Sequence, residues 1–131
     1  MSLTRRTILR SVPAAAAAFS MVPKGFGADS HHVVVVGGGF AGSTVAKYLK
    51  MWGNGAIDVT LVEPRKAHIS CVMSNLVLNE QLNLKDLSFA NDVLSSRYGV
   101  NVVHEAAVNI HGATRQLELK NGELIAYDSL V

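Results

Sequence analysis

The sequence predicts a doubly wound α/β sheet with an inserted antiparallel β-hairpin, incomplete at the C-terminus. Three features carry this reading. The apolar run Val33-Val34-Val35-Val36 passes directly into the glycine-rich turn Gly37-Gly38-Gly39-Phe40-Ala41-Gly42. A second strand-like run, Val59-Thr60-Leu61-Val62, ends on Glu63, twenty-one residues after Gly42. Further on, Asn121-Gly122 separates two short alternating segments, a strong local signal for a hairpin.

The elements follow in order. The first strand covers about His32–Val36. The helix after the turn covers about Phe40–Met51, with Val45, Leu49 and Trp52 spaced to face a sheet. Gly53-Asn54-Gly55 ends it with residues that tolerate left-handed backbone. The second strand, Asp58–Val62, is nearly all apolar, as suits a parallel strand covered on both faces. Pro64 stops it, and residues 65–83 lack a clear period and read as a long excursion. Leu84, Leu87, Ala90 and Leu94 then set a helical pattern over Leu84–Tyr98, with Gly99 beyond its end. Val100–His104 is the third strand. Gln116–Lys120 and Glu123–Tyr127 pair about Asn121-Gly122, the residues favoured in a type I′ turn. Tyr127–Val131 reads as the opening of a buried strand, so the chain is expected to be the N-terminal fragment of a longer polypeptide.

Strand, glycine turn, helix and distant acid form a dinucleotide-binding fingerprint in its proper context. Gly37 permits the tight turn, Gly39 lets backbone approach a pyrophosphate, and Gly42 lets the helix pack close to its strand. Phe40 and Ala41 open the helix, where unpaired N–H groups and the helix dipole favour an anion. Glu63 is placed to accept hydrogen bonds from the adenosine ribose, and its charge disfavours a 2′-phosphate. Pro64 and Arg65 beside it join the expected cofactor-binding set.

Residues 1–28 have the grammar of a targeting segment, and 29–131 that of a fold. Arg5-Arg6 precede an alanine-rich stretch, Ser11 to Val22, that is too short to span a bilayer. The order resembles a twin-arginine export signal and implies a periplasmic destination. Four of the twelve basic residues (Arg5, Arg6, Arg10, Lys24) lie in this segment. The remainder holds eight bases and ten acids, a net of −2, which leaves no basic stripe for nucleic acid.

Cys71 is the sole cysteine. A lone thiol in an exported chain is inert, paired elsewhere, or used. A loop just beyond the second strand can run beside an extended dinucleotide toward its redox-active end. Together, Val33–Gly42, Ala46-Lys47-Tyr48, Val59–Pro64, Cys71 with Ser74-Asn75, Val102-Val103-His104 and Tyr127-Asp128 resemble the flavoprotein subunits of flavocytochrome c sulfide dehydrogenases. The resemblance covers essentially all of 29–131, about the first quarter of such a subunit.

That resemblance implies a Rossmann-like FAD-binding domain. It also implies covalent FAD held by a thioether between Cys71 and the flavin 8α-methyl, sulfide as substrate, and a c-type cytochrome partner. Ser74 and Asn75 would line the flavin edge, and Ala107 would meet the adenine through backbone atoms. Where that family has aromatic residues just before the cysteine, His68-Ile69 stand here, and His68 reads as a loop residue. His31 and His32 read as solvated. No catalytic residue, metal site or membrane span is expected within 29–131. The plain alternative for Cys71 is a small buried hydrophobe. For the whole protein the alternatives are a sulfide:quinone oxidoreductase-like or NADH dehydrogenase-like flavoprotein, or a non-catalytic truncated fragment.

Overall fold

Four parallel strands build the central sheet in the computed structural model, which describes residues 30–131. The expected export signal, residues 1–28, lies outside the described residues. The sheet order is β5 (Asn101–Val103), β2 (Ile57–Val62), β1 (His31–Val36), β9 (Ser129–Leu130). β1 and β2 pair along their whole length, with Val33 opposite Val59 and Val35 opposite Leu61.

Side chains alternate across a strand, so the unbroken apolar runs feed two cores. Val33, Val35, Val59 and Leu61 pack with Ala46, Leu94 and Val100 on the helical side. Val34 and Val62 pack with Leu117 and Leu119 on the other. The helical layer is α1 (Phe40–Trp52) and α3 (Asp92–Tyr98). The opposite layer is a three-stranded antiparallel ribbon of β6 (Ala107–His111), β7 (Gln116–Leu119) and β8 (Leu124–Ala126).

The expected two-stranded hairpin is therefore one half of a ribbon, because β6 also pairs with β7 around a bulge near Ala107. Its turn is also not type I′, which needs positive φ at both central residues. Gly122 has φ +86, Asn121 is not in the positive region, and Gly122 N–H donates to the Leu119 carbonyl at 2.9 Å. The result is a three-residue connection, Lys120-Asn121-Gly122, closed by a glycine in the left-handed region.

The single helix expected over Leu84–Tyr98 is broken in three. Leu84–Leu87 is a 3-10 turn held by a capping box between Asn83 and Asp86. Ser88–Ala90 is β4, paired antiparallel with β3 (Ala67–Ile69). Only Asp92–Tyr98 is α-helical. The Leu87, Leu94 spacing survives because both side chains are buried, although they belong to different elements. The excursion before it also holds a short helix, α2 (Ser74–Leu78).

Two smaller expectations are corrected. Trp52 is 77% exposed, while Val45, Ala46 and Leu49 form the inward face of α1. At this end of the helix Ile57 fills the space beneath it, and a Cβ added to Gly53 would lie 2.8 Å from Ile57 Cβ. His32 is buried rather than solvated. One ring nitrogen lies 2.8 Å from the Ala126 carbonyl and the other 2.9 Å from Thr60 Oγ1.

Candidate functional site

The glycine turn sits where β1 leaves the sheet and α1 begins, at the C-terminal edge of the parallel strands. Gly37 N–H donates to the Val62 carbonyl at 2.8 Å, so the β1–β2 ladder is still intact as the chain turns. Gly37 has φ +102, a backbone conformation that glycine adopts without steric cost. Nothing lies within 4 Å of a Cβ built on Gly37 or Gly39, so the turn presents open backbone to its surroundings. Gly42 is the reverse case: a Cβ there would run into the carbonyl oxygen of Gly37. The three glycines therefore divide as the fingerprint requires, two facing open space and one sealing helix against strand.

Helix α1 starts without compensation. The first helical bond is Ser43 N–H to the Gly39 carbonyl at 3.0 Å, which leaves the N–H groups of Phe40, Ala41 and Gly42 without helical partners. Its first turn contains no acid, and Gly39 supplies no capping side chain. These donors and the positive end of the helix dipole face the space left open by Gly37 and Gly39. Backbone of this kind fits a pyrophosphate.

Glu63 lies beneath the turn and is 6% exposed. Its Oε2 accepts Gly38 N–H at 2.7 Å, and its Oε1 accepts Arg65 N–H at 3.0 Å and Arg65 Nε at 3.1 Å. Burial pushes the carboxyl group up, but the Gly38 and Arg65 amides and the Arg65 guanidinium outweigh it and hold Glu63 below its ordinary value. A carboxylate offers about four lone-pair sites, so one on Oε2 remains for a ribose hydroxyl. The residues present thus fit the adenosine diphosphate half of a dinucleotide.

Several neighbours were not evident in the sequence. Asn91, 3% exposed, donates from Nδ2 to the Arg65 carbonyl at 3.0 Å. The same Nδ2 lies 3.1 Å from the position of a Gly38 Cβ, so Asn91 and Glu63 together floor the turn. Ser43 Oγ donates to the Gly38 carbonyl at 2.9 Å, and a His104 ring nitrogen lies 3.3 Å from the Glu63 carbonyl. An Asn directly before a short helix is a local signal, but the apparent helix from Leu84 concealed it.

Cys71 is exposed, which removes the buried-hydrophobe alternative. Its loop is held from both sides. Ser70 is buried, its N–H donates to the Leu87 carbonyl at 2.8 Å, and its Oγ accepts Val72 N–H at 3.1 Å. Ser74 N–H then donates to the Cys71 carbonyl at 3.2 Å, with Met73 at φ +64 between them. Ser74 and Asn75 open α2 and are exposed. β3, which leads into this loop, meets the start of α1 through His68, a strand residue and not the loop residue expected, whose ring stands edge-on to Phe40 at 4.9 Å between centroids.

The structure thus joins Gly37, Gly39, Phe40, Ala41, Gly42, Glu63 and Arg65 into one group, and sets Cys71, Ser74 and Asn75 on the adjoining loop. Pro64 is exposed beside Glu63. Ala107 begins β6 and packs against the ribbon-side core, outside the hydrogen-bonded group.

Comparison with known proteins places this geometry among its relatives. Residues 31–131 match the family described as pyridine nucleotide-disulphide oxidoreductase. Over 45 residues the chain is 56% identical to the sulfide dehydrogenase (flavocytochrome c) flavoprotein chain of Chlorobaculum thiosulfatiphilum, a stretch covering 34% of this chain and 92% of that sequence. The fold is similar to that of the sulfide:quinone oxidoreductase from Aquifex aeolicus, with a TM-score of 0.67 and 22% identity over 77% of this chain and 23% of that one. It is also similar to that of the reduced CoADR-RHD of Bacillus anthracis, with a TM-score of 0.64 and 24% identity over 77% of this chain and 20% of that one. The chain thus spans less than a quarter of either of these solved structures.

Proposed function

The chain belongs to the pyridine nucleotide-disulphide oxidoreductase family, and on that footing we propose that it supplies the adenosine-binding half of the FAD site in an exported sulfide dehydrogenase. The observation that carries the choice of substrate is the 45-residue match to a sulfide dehydrogenase flavoprotein chain. The open glycine turn over a buried Glu63 supports the choice of an adenine dinucleotide.

FAD, when bound, supplies an acceptor for the two electrons of sulfide, which a c-type cytochrome partner then withdraws singly. The chain's own part is to bind and orient. Gly37 and Gly39 expose backbone to the pyrophosphate, and the Phe40, Ala41 and Gly42 amides neutralise its charge. Glu63 Oε2 takes a ribose hydroxyl while Gly38 N–H fixes its position. Cys71, outside the core on a braced loop, would hold the flavin through a thioether to its 8α-methyl carbon. The two electrons and two protons lost from the S–H and C–H bonds would be taken up by the flavin ring itself, and such a bond would fix the ring system in place. Residues 1–28 direct the folded, cofactor-loaded protein through the twin-arginine route to the periplasm.

Denaturing electrophoresis of the flavin-loaded protein tests the attachment. A fluorescent flavin band that survives denaturation and disappears in Cys71→Ser supports it, whereas acid-released free FAD from the wild type contradicts it. Sulfide-dependent reduction of cytochrome c, compared with reduction of a soluble quinone, decides the acceptor.

A further inference from the structure

The outer surface of α1 and α3 carries a linked row of rings and cations with no part in the glycine turn. The exposed Trp52 ring stacks on Tyr48 with centroids 4.6 Å apart. Lys47 Nζ lies 5.1 Å from the ring centres of both Tyr48 and Tyr98. Arg97 Cζ lies 5.7 Å from the Tyr98 ring. The row therefore crosses from one helix to the next, and Met51, next to Trp52 in sequence, is half exposed.

Neither Lys47 nor Arg97 has a carboxylate partner among the described residues. Their neighbour Lys50 differs, since its Nζ is paired with Asp58 Oδ1 at 2.8 Å. The patch is thus cationic around an aromatic centre. The inward face of α1 is already filled by Val45, Ala46 and Leu49, so the fold does not require an aromatic ring at position 52. Tryptophan, tyrosine, methionine and arginine are the residues enriched at protein interfaces, and Trp, Tyr and Arg anchor most of their energy. The rings also hold Lys47 and Arg97 in place, which lowers the entropy lost when a partner binds.

We infer that the row Trp52–Tyr48–Lys47–Tyr98–Arg97 is a docking surface for an acidic protein partner, with Trp52 as its apolar anchor. Charge complementarity sets the partner's sign. An anionic membrane is the weaker fit, because recruitment by lipid charge takes clusters of about 4–8 basic residues, and this face offers Lys47 and Arg97. α1 rises about 1.5 Å per residue, so its thirteen residues put Trp52 at the far end of the helix from the glycine turn. A partner seated there leaves the dinucleotide site open.

Trp52 is the sole tryptophan of the chain, so its emission reports directly on this surface. The whole chain is titrated at low salt with a glutamate–alanine copolymer, with a lysine–alanine copolymer, and with phosphatidylglycerol vesicles. The expected result is a blue shift of Trp52 emission with the acidic copolymer alone. That response weakens with added salt and becomes roughly tenfold weaker in the double variant Lys47→Glu, Arg97→Glu. If that variant loses the wild-type circular dichroism, Lys47→Gln with Arg97→Gln takes its place. The inference is overturned by no response to the acidic copolymer, by an equal response to both copolymers, by undiminished binding in the charge variants, or by a vesicle response as strong as the copolymer's.

Discussion

Gly38 N–H donates to Glu63 Oε2 at 2.7 Å, so the acid that follows β2 holds the glycine turn in shape before any ligand arrives. Glu63 clamps backbone from below, and under the proposed function its remaining lone pair takes a sugar hydroxyl.

Glu63→Gln tests the clamp. The amide keeps one acceptor oxygen but presents an NH2 group to donors it cannot accept, so part of the Gly38 and Arg65 set is left unsatisfied. Stability is expected to fall by about 1–3 kcal/mol, read as a lower urea midpoint with unchanged slope. FAD retention is expected to fall with it.

Acid titration tests the same carboxylate. Glu63 is held below its ordinary value of 4.5, so its stabilising contribution is complete above about that pH. The contribution is lost as pH falls further, through the lower pKa of the folded protein. Asp58 acts in the same direction: its hydrogen bonds from Lys50 and Ser30 hold it below 3.8 against the upward effect of burial. The expected outcome is a stability curve that stays flat with respect to these two groups near neutral pH and drops below about pH 4.5, with a shallower drop in Glu63→Gln.

The glycines separate folding from binding. Gly42→Ala drives a methyl group into the Gly37 carbonyl and is expected to cost about 3 kcal/mol, measured by thermal or urea unfolding. Gly39 has φ −74 and open space at its Cβ position, so Gly39→Ala is expected to fold with a stability change within about 0.5 kcal/mol. The methyl group would then stand where the pyrophosphate approaches, and FAD binding is expected to be lost.

Asn91→Ala removes the 3.0 Å hydrogen bond to the Arg65 carbonyl from beneath the turn. A loss of about 1–2 kcal/mol is expected, since the buried Asn91 side chain gives up a part-buried hydrogen bond and leaves a gap under the turn. Trp52→Ala is the matching control. With its side chain largely in water, it is expected to shift stability by no more than about 0.5 kcal/mol.

The parallel pair β1–β2 and the turn between them were legible because one pattern served two needs. The apolar runs that bury both faces of a strand also stop abruptly at the glycines and at Glu63. The helix over Leu84–Tyr98 was misread because Leu87 and Leu94 fall at helical spacing while lying in different elements. There the pairing of β4 with β3 and the Asn83–Asp86 cap override the periodicity. Trp52 kept the helical period too, but Ile57 occupies the space under the end of α1. β6 is not legible in the sequence because it is short, its Val108, Asn109 and Ile110 are all exposed so that no buried face marks it, and a bulge shifts its register. Asn91, hidden in the apparent helix, could be found only from the tertiary structure.

Equilibrium titration of the chain with FAD is the most direct measurement, run on wild type and on Gly39→Ala in parallel. Saturable one-to-one binding is expected for the wild type, displaced by ADP and absent from the equally stable variant. Wild type that takes up no FAD, or a variant that binds it as tightly, contradicts the assignment of the glycine turn to the pyrophosphate.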